Sequence, residues 1–415
     1  MKTPDGWTEA FLGDLLAFSN GINAGKSAYG SGVPFANVLE VITNESLREA
    51  DIPGSVTLPQ KMINRYLVQH GDMLFNRTSE TQNEVGLASV YVGERPVVFG
   101  GFVFRGRHRT VDFDYGYAKF ALRESYVRDQ ITSRGQGGIR ANLGQRDLKL
   151  VSVILPPVEE QRTIAEAIDD AANQIRTLEH LVAKKRAIKQ GLMYQLLYGR
   201  TRTADFSGSA DEVSIGSMTT WLSGGTPNRS EPGFWGGNIP WISAATLKHV
   251  RVHDSDQHLT TAGLQSGSRL APVGAVLVLV RGMALHHEAR IGITGQPVSF
   301  NQDIKALISR PGILPEYLAY SLIARERQIL DLVSSAGSGT GVLNTDLLKA
   351  LQVWLPEKRE QQAIVAVLTD ADTEVAALQT RLDKARAVKQ GMMQQLLTGK
   401  IRLPTPDSTL KDAIL

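Results

Sequence analysis

The 415-residue chain contains no cysteine, which excludes disulfides and thiolate-ligated zinc sites and leads us to expect a cytoplasmic protein. No apolar run reaches the roughly 18 residues of a membrane span, and no basic-then-apolar leader opens the chain, so neither membrane insertion nor secretion is expected. Charge of one sign is also scarce, the formal net charge being only +3. Residues 1–154 carry 17 Lys and Arg against 16 Asp and Glu, and residues 203–354 carry 11 against 12. A polyanion would therefore be met by a local patch on a nearly neutral surface. What is present is an ordinary globular composition, 42% hydrophobic and 21% charged, with length for two or three domains.

The segment NGINAGKS at Asn20 resembles a phosphate-binding loop. That loop needs G-x-x-x-x-G-K-[ST] after a buried strand, so that backbone N–H groups curl around the phosphates. Here Asn20 stands where the first glycine belongs, and Gly13 and Asp14 interrupt the stretch before it. Nucleotide binding is accordingly not expected.

The dominant feature is a duplication. LPPVEEQRTIAEAIDDAANQIRTLEHLVAKKRAIKQGLMYQLLYGRTR begins at Leu155, and LPEKREQQAIVAVLTDADTEVAALQTRLDKARAVKQGMMQQLLTGKIR begins at Leu355. The two align without a gap, with 20 of 48 positions identical. Weaker likeness continues upstream: FDYGYAKFAL with ILPEYLAYSL, GDMLFNR with GAVLVLVR, and VPFANV with IPWISA. The chain is read as a globular half (1–154), a long helix (155–200), a second globular half (201–354), a second long helix (355–402) and a tail (403–415).

Each long segment opens after proline with carboxylates in its first turn and runs proline-free to Gly199 or Gly399, the pattern of a helix with a dipole-compatible start and a glycine stop. About 37 residues at 1.5 Å each give roughly 55 Å. Apolar residues at Ile164, Ile168, Ala171, Ile175, Leu178 and Val182, and at Ile364, Leu368, Ala371, Val375, Leu378 and Leu382, alternate steps of four and three, a heptad seam. Two readings follow: each helix lies on its own domain, or the two copies pair with each other. The matched length and register favour antiparallel pairing, with one globular half at each end of a rod. The expected fold class is α+β, two similar globular domains separated by two long helices forming an antiparallel coiled coil, a pseudo-twofold dumbbell.

The last turns carry more apolar surface than such a seam uses. Leu192, Met193, Leu196 and Leu197, with Met392, Met393, Leu396 and Leu397, are read as docking surfaces for other subunits, the alternative being that they pack on the adjacent globular half.

The layout of two variable halves, each followed by LPP-x-x-EQ or LPEKREQ, a long helix and KQGLM-x-QLL-x-G or its variant, with SGGTPNRS at Ser223 near the entry to the second half, closely resembles the specificity subunit of type I restriction-modification enzymes. The resemblance spans the whole chain. It implies a non-catalytic protein in which two target recognition domains each read one half of a split double-stranded DNA target, while the helices set the spacing. It further implies docking of two modification (methyltransferase) subunits, joined by restriction subunits with translocase and nuclease activity. S-adenosylmethionine, ATP and Mg would then be bound by those partners, and no cofactor by this chain. Half-sites about one helical turn apart, roughly 34 Å, suit a quasi-twofold reader. The absence of an Asn/Asp-Pro-Pro-aromatic tetrad and of a nuclease-type carboxylate and lysine cluster agrees with a non-catalytic role.

Candidate DNA-contacting residues fall on polar loops. After GDMLF come Arg77, suited to guanine or phosphate, and Gln82 and Asn83, whose amides suit adenine. The corresponding stretch of the second half offers Arg281, His286, His287 and Arg290. The glycine-rich turns before the long helices, RGQGGIRAN and SAGSGTGVLN, add Arg140 and Asn142, and Thr340 and Asn344. Lys248, Asn301 and Gln302 are further candidates. Lys26 and Arg229 are expected to be equivalent phosphate contacts, each a cation ending a glycine turn. Phe35 and Trp241 are read as core aromatics. His286-His287-Glu288 is not expected to hold a metal, because adjacent histidines on an extended stretch face opposite ways. A protein-interaction scaffold with the helices as a passive stalk is the alternative from another class.

Overall fold

A computed structural model of the chain describes residues 3–137, 140–202, 206–208, 210–248, 250–335 and 339–404. Most of the expected tail, 403–415, lies outside these. The chain divides into two compact units, one comprising Met1–Leu178 with Arg381–Leu415 and the other Glu179–Thr380. Each long helix therefore contributes residues to both units, its first half to one and its last half to the other.

In the first unit, Thr8–Phe11 pairs antiparallel with Ser152–Leu155, the strand leading into the first long helix. The main sheet has five strands in the order Leu16–Asn20, Val103–His108, Met73–Asn76, Ala88–Tyr91 and Ser46–Leu47, the last pairing in parallel. Met73–Asn76 and Ala88–Tyr91 are buried along their whole length, as apolar strands covered on both faces must be. A smaller sheet joins Ser55–Val56, Tyr29–Ala36 and Val98–Phe99. Phe75, Phe104, Tyr117 and Phe120 form the core with Ile164 and Ile168 of the first long helix and Leu396 and Leu397 from the end of the second.

The second unit repeats this plan. Asp211–Ser214 pairs with Gln352–Leu355, and the five-stranded order is Thr219–Ser223, Ile304–Ser309, Val276–Leu279, Ile291–Thr294 and Arg251–Val252. Trp235–Ile242 lies between His258–Leu259 and Val298–Phe300, as Tyr29–Ala36 lies between its own two partners. The same order in both halves is what a duplicated sequence should give, and the strands match where the sequences matched weakly.

The long helices run Val158–Leu197 and Lys358–Leu396. Gly199 and Gly399 end them at φ +64° and +66°. At both positions glycine is required twice over: the left-handed turn disfavours a side chain, and a Cβ would stand 2.6 Å from the Trp354 ring or 2.5 Å from Pro4. Within each unit, the start of one long helix packs beside the end of the other, the antiparallel relation expected from the seam. In the second unit this relation is laced by Lys185 with Glu374 at 2.6 Å, Arg186 with Gln379 at 3.0 Å, and Lys189 with Asp372.

That arrangement corrects the expectation of an exposed docking surface at the helix ends. Met193, Leu196 and Leu197 are buried in the core of the second unit, with Leu192 packed against it. Leu396 and Leu397 are buried in the core of the first, with Met392 and Met393 against it. Most of the surplus apolar surface thus covers a globular half, with Leu192, Met392 and Met393 half-buried at its edge. No helix among the described residues is long and apolar enough to cross a membrane.

Candidate nucleic-acid interface

The repeated Glu-Gln doublet shows why the two halves hold their helices so tightly. Glu160 is buried and accepts hydrogen bonds from the guanidinium of Arg402, one at 2.6 Å, and from Trp7 Nε1 at 3.3 Å. Glu360 is fully buried and accepts from Arg202 at 2.9 and 2.5 Å. Each clamp thus ties the start of one helix to the residues just past the end of the other. Charge-assisted bidentate pairs of this kind are strong and geometrically strict, and Glu360 holds the Arg202 guanidinium above its ordinary pKa through that hydrogen bond. The neighbouring Gln161 accepts from the Asp114 N–H at 2.8 Å and donates to the carbonyls of Asp112 and Pro156 at 2.8 and 2.9 Å. Gln361 repeats this with Leu314, Gly312 and Pro356. Sequence reading passed over Arg202 and Arg402, although they are an identical pair in the aligned repeat.

On this frame, the first half brings several expected residues together. Thr78–Ser79 pairs with Ala141–Asn142, which joins the loop after Met73–Asn76 to the glycine-rich turn. Arg77 is exposed, with its guanidinium 5.5 Å from the Phe104 ring centre and donating to the Gly101 carbonyl at 3.4 Å. Arg140 pairs with Glu80 at 3.3 Å, both well exposed. Asn142 accepts from the Thr78 hydroxyl at 2.9 Å. Gly138 and Ile139 of the turn lie outside the described residues. The Gln82 amide donates to the carbonyls of Thr132 and Gly135 at 2.6 and 3.1 Å. Its donor is committed to holding the loop, which corrects its assignment as a bidentate adenine reader. Asn83 keeps an exposed side chain, while its carbonyl accepts from Arg128 at 2.8 Å. Burial lowers Arg128 to a pKa of about 10, so the pin beneath the loop stays cationic at neutral pH.

The second half builds the same junction from different residues. Arg281–Gly282 pairs with Gly341–Leu343, Arg281 lying opposite Val342. His286 closes a short turn over Met283–His286, and its Nε2 bonds the Gly339 carbonyl at 2.8 Å. The stretch is thus not extended as expected, and the rings of His286 and His287 lie 6.5 Å apart. Thr340 stands beside this contact. Residues 336–338 lie outside the described residues. Arg290 is paired with Glu288 at 2.6 Å, and Lys248 is exposed on the loop after Trp235–Ile242. Among the described residues no group of three or more side chains is assembled to hold a metal.

Two further candidates have structural roles. Asn344 caps the helix Thr345–Ala350, its side chain accepting from the N–H groups of Asp346 and Leu347 at 3.1 Å. Asn301 is buried in a turn with Asp303, donating to the carboxylate at 3.0 Å and accepting from its N–H at 3.2 Å. Neither side chain is offered to a ligand. Gln302 accepts from Thr226 at 2.7 Å and remains exposed.

The opening segment is also clarified. Gly21 and Gly224 are equivalent, because the following N–H groups of Ile22 and Gly225 donate to Phe99 and Phe300 at 3.0 and 2.9 Å. A Cβ would stand 2.0 Å from the Gly100 carbonyl oxygen in one half and 2.2 Å from that of Phe300 in the other. The glycine serves close backbone approach to a strand, not a phosphate. Lys26 opens the single turn Lys26–Ala28 that leads into Tyr29–Ala36, with no helix following. The matching turn of the second half is Pro232–Phe234, before Trp235–Ile242. Lys26 therefore matches Pro232 by its place in the turn, while Arg229 lies earlier, in a segment between Gly224 and the turn that is three residues longer than its counterpart after Gly21, which corrects their expected equivalence. Phe35 and Trp241 are buried, as expected of core aromatics.

Comparison with known proteins gives the same picture. The family described as type I restriction modification DNA specificity domain matches residues 4–189 and again 209–386. The specificity subunit of the Escherichia coli type I restriction enzyme EcoR124I/EcoR124II is 27% identical over 217 residues, 52% of this chain and 54% of that protein. The MjaVIII specificity subunit of Methanocaldococcus jannaschii is 21% identical over 432 residues, 97% of this chain and 95% of that one. The crystal structure of the type I restriction-modification S subunit from M. genitalium shares the fold, with a TM-score of 0.59 at 14% identity, covering 95% of this chain and 98% of that one.

Proposed function

The chain belongs to the type I restriction modification DNA specificity family, and from that premise we propose that its two recognition domains each read one half of a bipartite double-stranded DNA target. The observation that carries this reading is one five-stranded order built twice, with different polar side chains on the same inter-strand junction. Arg77, Arg140 and Asn142 stand there in the first half, and Arg281, His286 and Thr340 in the second. Shared scaffolds with unlike loops suit the recognition of two unlike sequences, since loops on rigid strands carry specificity. Lys26, Asn83, Lys248, Arg290 and Gln302 complete the polar rim. In this reading the chain is non-catalytic and works in the cytoplasm. The paired helices set the distance between half-sites, and methyltransferase and restriction subunits supply S-adenosylmethionine, ATP and Mg chemistry. Because the apolar helix ends are buried, docking falls to the exposed helix faces, where Ile188, Tyr194 and Val388 are 45%, 42% and 58% exposed.

The test is methylation-site mapping with the complex reconstituted from this chain and its methyltransferase subunits. Arg77→Ala with Arg140→Ala is expected to relax the bases accepted in one half-site only, leaving the other half-site and complex assembly unchanged. Alteration of both half-sites, or of neither, would overturn the assignment.

A further inference from the structure

A pocket occurs at the same place in both units. In the first it measures about 390 Å³ and is lined by Asn23, Tyr29, Gly30, Pro53 and Gly54 among others, none of them charged. In the second it measures about 340 Å³ and is lined by Arg229, Trp235, Gly236, Asp256, Gln257 and His258. The two correspond feature by feature. Tyr29 meets Phe35 edge-to-face at 5.3 Å, as Trp235 meets Trp241 at 5.3 Å. Gly30 and Gly236 both adopt positive φ. The Phe35 N–H donates to Gly54 at 2.9 Å, as that of Trp241 donates to Gln257 at 2.8 Å. Pro53 of the first half is therefore replaced by Asp256 in the second, while Arg229 comes from the segment before the short turn, where the first half offers Asn23.

The charged pocket is organised for a ligand. The Arg229 guanidinium is held 5.1 Å from the ring centres of both Trp235 and Trp241. The indole N–H groups are spent on the carbonyls of Asn228 and Gly225, each at 3.1 Å, so the rings serve as a platform. Stacking of this kind fixes the plane of the guanidinium and leaves its N–H edge to donate. Its hydrogen bond to Gln257 is long, at 3.5 Å. Arg229 and Asp256 line one pocket, yet among the described residues no ion pair within 4 Å joins them to each other or to any other group. Opposite charges kept apart on a common rim present a donor fork and an acceptor side by side.

We infer that this pocket reads one G·C base pair of the second half-site, Arg229 donating to guanine O6 and N7 and Asp256 accepting from the cytosine N4 amino group. That donor and acceptor pattern is unique to G·C in the major groove. It contrasts with the uncharged first pocket, whose Asn23 amide suits an adenine. The inference rests on the DNA-reading function proposed above, and it converts Arg229 from an expected phosphate contact into a specificity-determining residue.

The experiment is competition binding of the reconstituted complex to a library of duplex targets at fixed salt. Arg229→Ala and Asp256→Asn are each expected to lower the preference for G·C about 10- to 100-fold at one and the same position of one half-site, leaving the other half-site untouched. Arg229→Lys, which keeps the charge but loses the fork, is expected to retain most of the affinity and lose most of the preference. Three results would overturn the inference: a uniform loss of affinity in Arg229→Ala with a salt slope shallower by about one, which marks a phosphate contact; effects of the two variants at different positions; or unchanged preference in both. A wild-type complex without any sequence preference would instead overturn the proposed function itself.

Discussion

Arg402 and Arg202 are the side chains on which the attachment of each helix end depends. Glu160 is buried and the Arg402 side chain is about half exposed, at 45%. Losing the arginine leaves a carboxylate in a low-dielectric site with, among the described residues, only Trp7 Nε1 as a remaining side-chain partner. Arg402→Ala is expected to destabilise the protein by about 2–3 kcal/mol, below the range for a fully enclosed pair because water reaches the guanidinium. Thermal or denaturant unfolding of the variant would check it, and an unchanged midpoint would remove the clamp from the account. Identity of side chains was legible beforehand; their partners were not. Gln82 and Asn344 are the residue types that read adenine, and both are instead spent on local hydrogen bonds. No spacing rule separates an asparagine that caps a helix from one that meets a base, because the difference lies in which backbone N–H groups come within reach.

Among the elements, the ends of the long helices show where periodicity stops being informative. Of the heptad positions, Ile164, Ile168, Ile364 and Leu368 are buried in the cores of the globular halves, Leu178, Val182 and Leu382 are buried, and Ala171, Ile175, Ala371, Val375 and Leu378 are half-buried. The extra apolar residues beyond the seam were equally consistent with a partner's surface or with a globular half. Packing decided it: Leu197 is fully buried beside Ile215, Tyr317 and Leu348 in one core cluster. Leu197→Ala is therefore expected to cost about 2–5 kcal/mol of stability, read by unfolding, while methyltransferase binding by the folded fraction stays as it was. Loss of partner binding without loss of stability would restore the docking reading. The strands were easier to foresee. Met73–Phe75 and Ala275–Val280 are apolar throughout, the composition favoured in a strand covered on both faces.

For the protein entire, the exchanged helix ends would tie the proposed spacing of half-sites to folding. The Glu160–Arg402 and Glu360–Arg202 clamps each join one helix to the other. A heptad inserted in one helix alone would displace a clamp. A heptad inserted in both, within 164–182 and at the matching place within 364–382, preserves them. It is expected to lengthen the helices by about 10 Å, equivalent to about three base pairs. Methylation-site mapping should then show a longer gap between unchanged half-site sequences; an unaltered gap would refute the spacer role.

The duplication, the long helices and their glycine stops, and the family were all determined by the sequence, because each is carried by covalent order: a repeat at fixed offset, a run of 3.5-residue periodicity, a residue type required by a local backbone conformation. Tertiary structure alone decided which glutamate meets which arginine, that the apolar helix ends seal a core, that Lys26 matches Pro232, and that Arg229 and Asp256 share a rim without pairing. Those facts depend on contacts between residues far apart along the chain. A three-residue difference in a loop is enough to move a cation from one apparent equivalence to another, and only the short turns that lead into Tyr29–Ala36 and Trp235–Ile242 place Lys26 opposite Pro232.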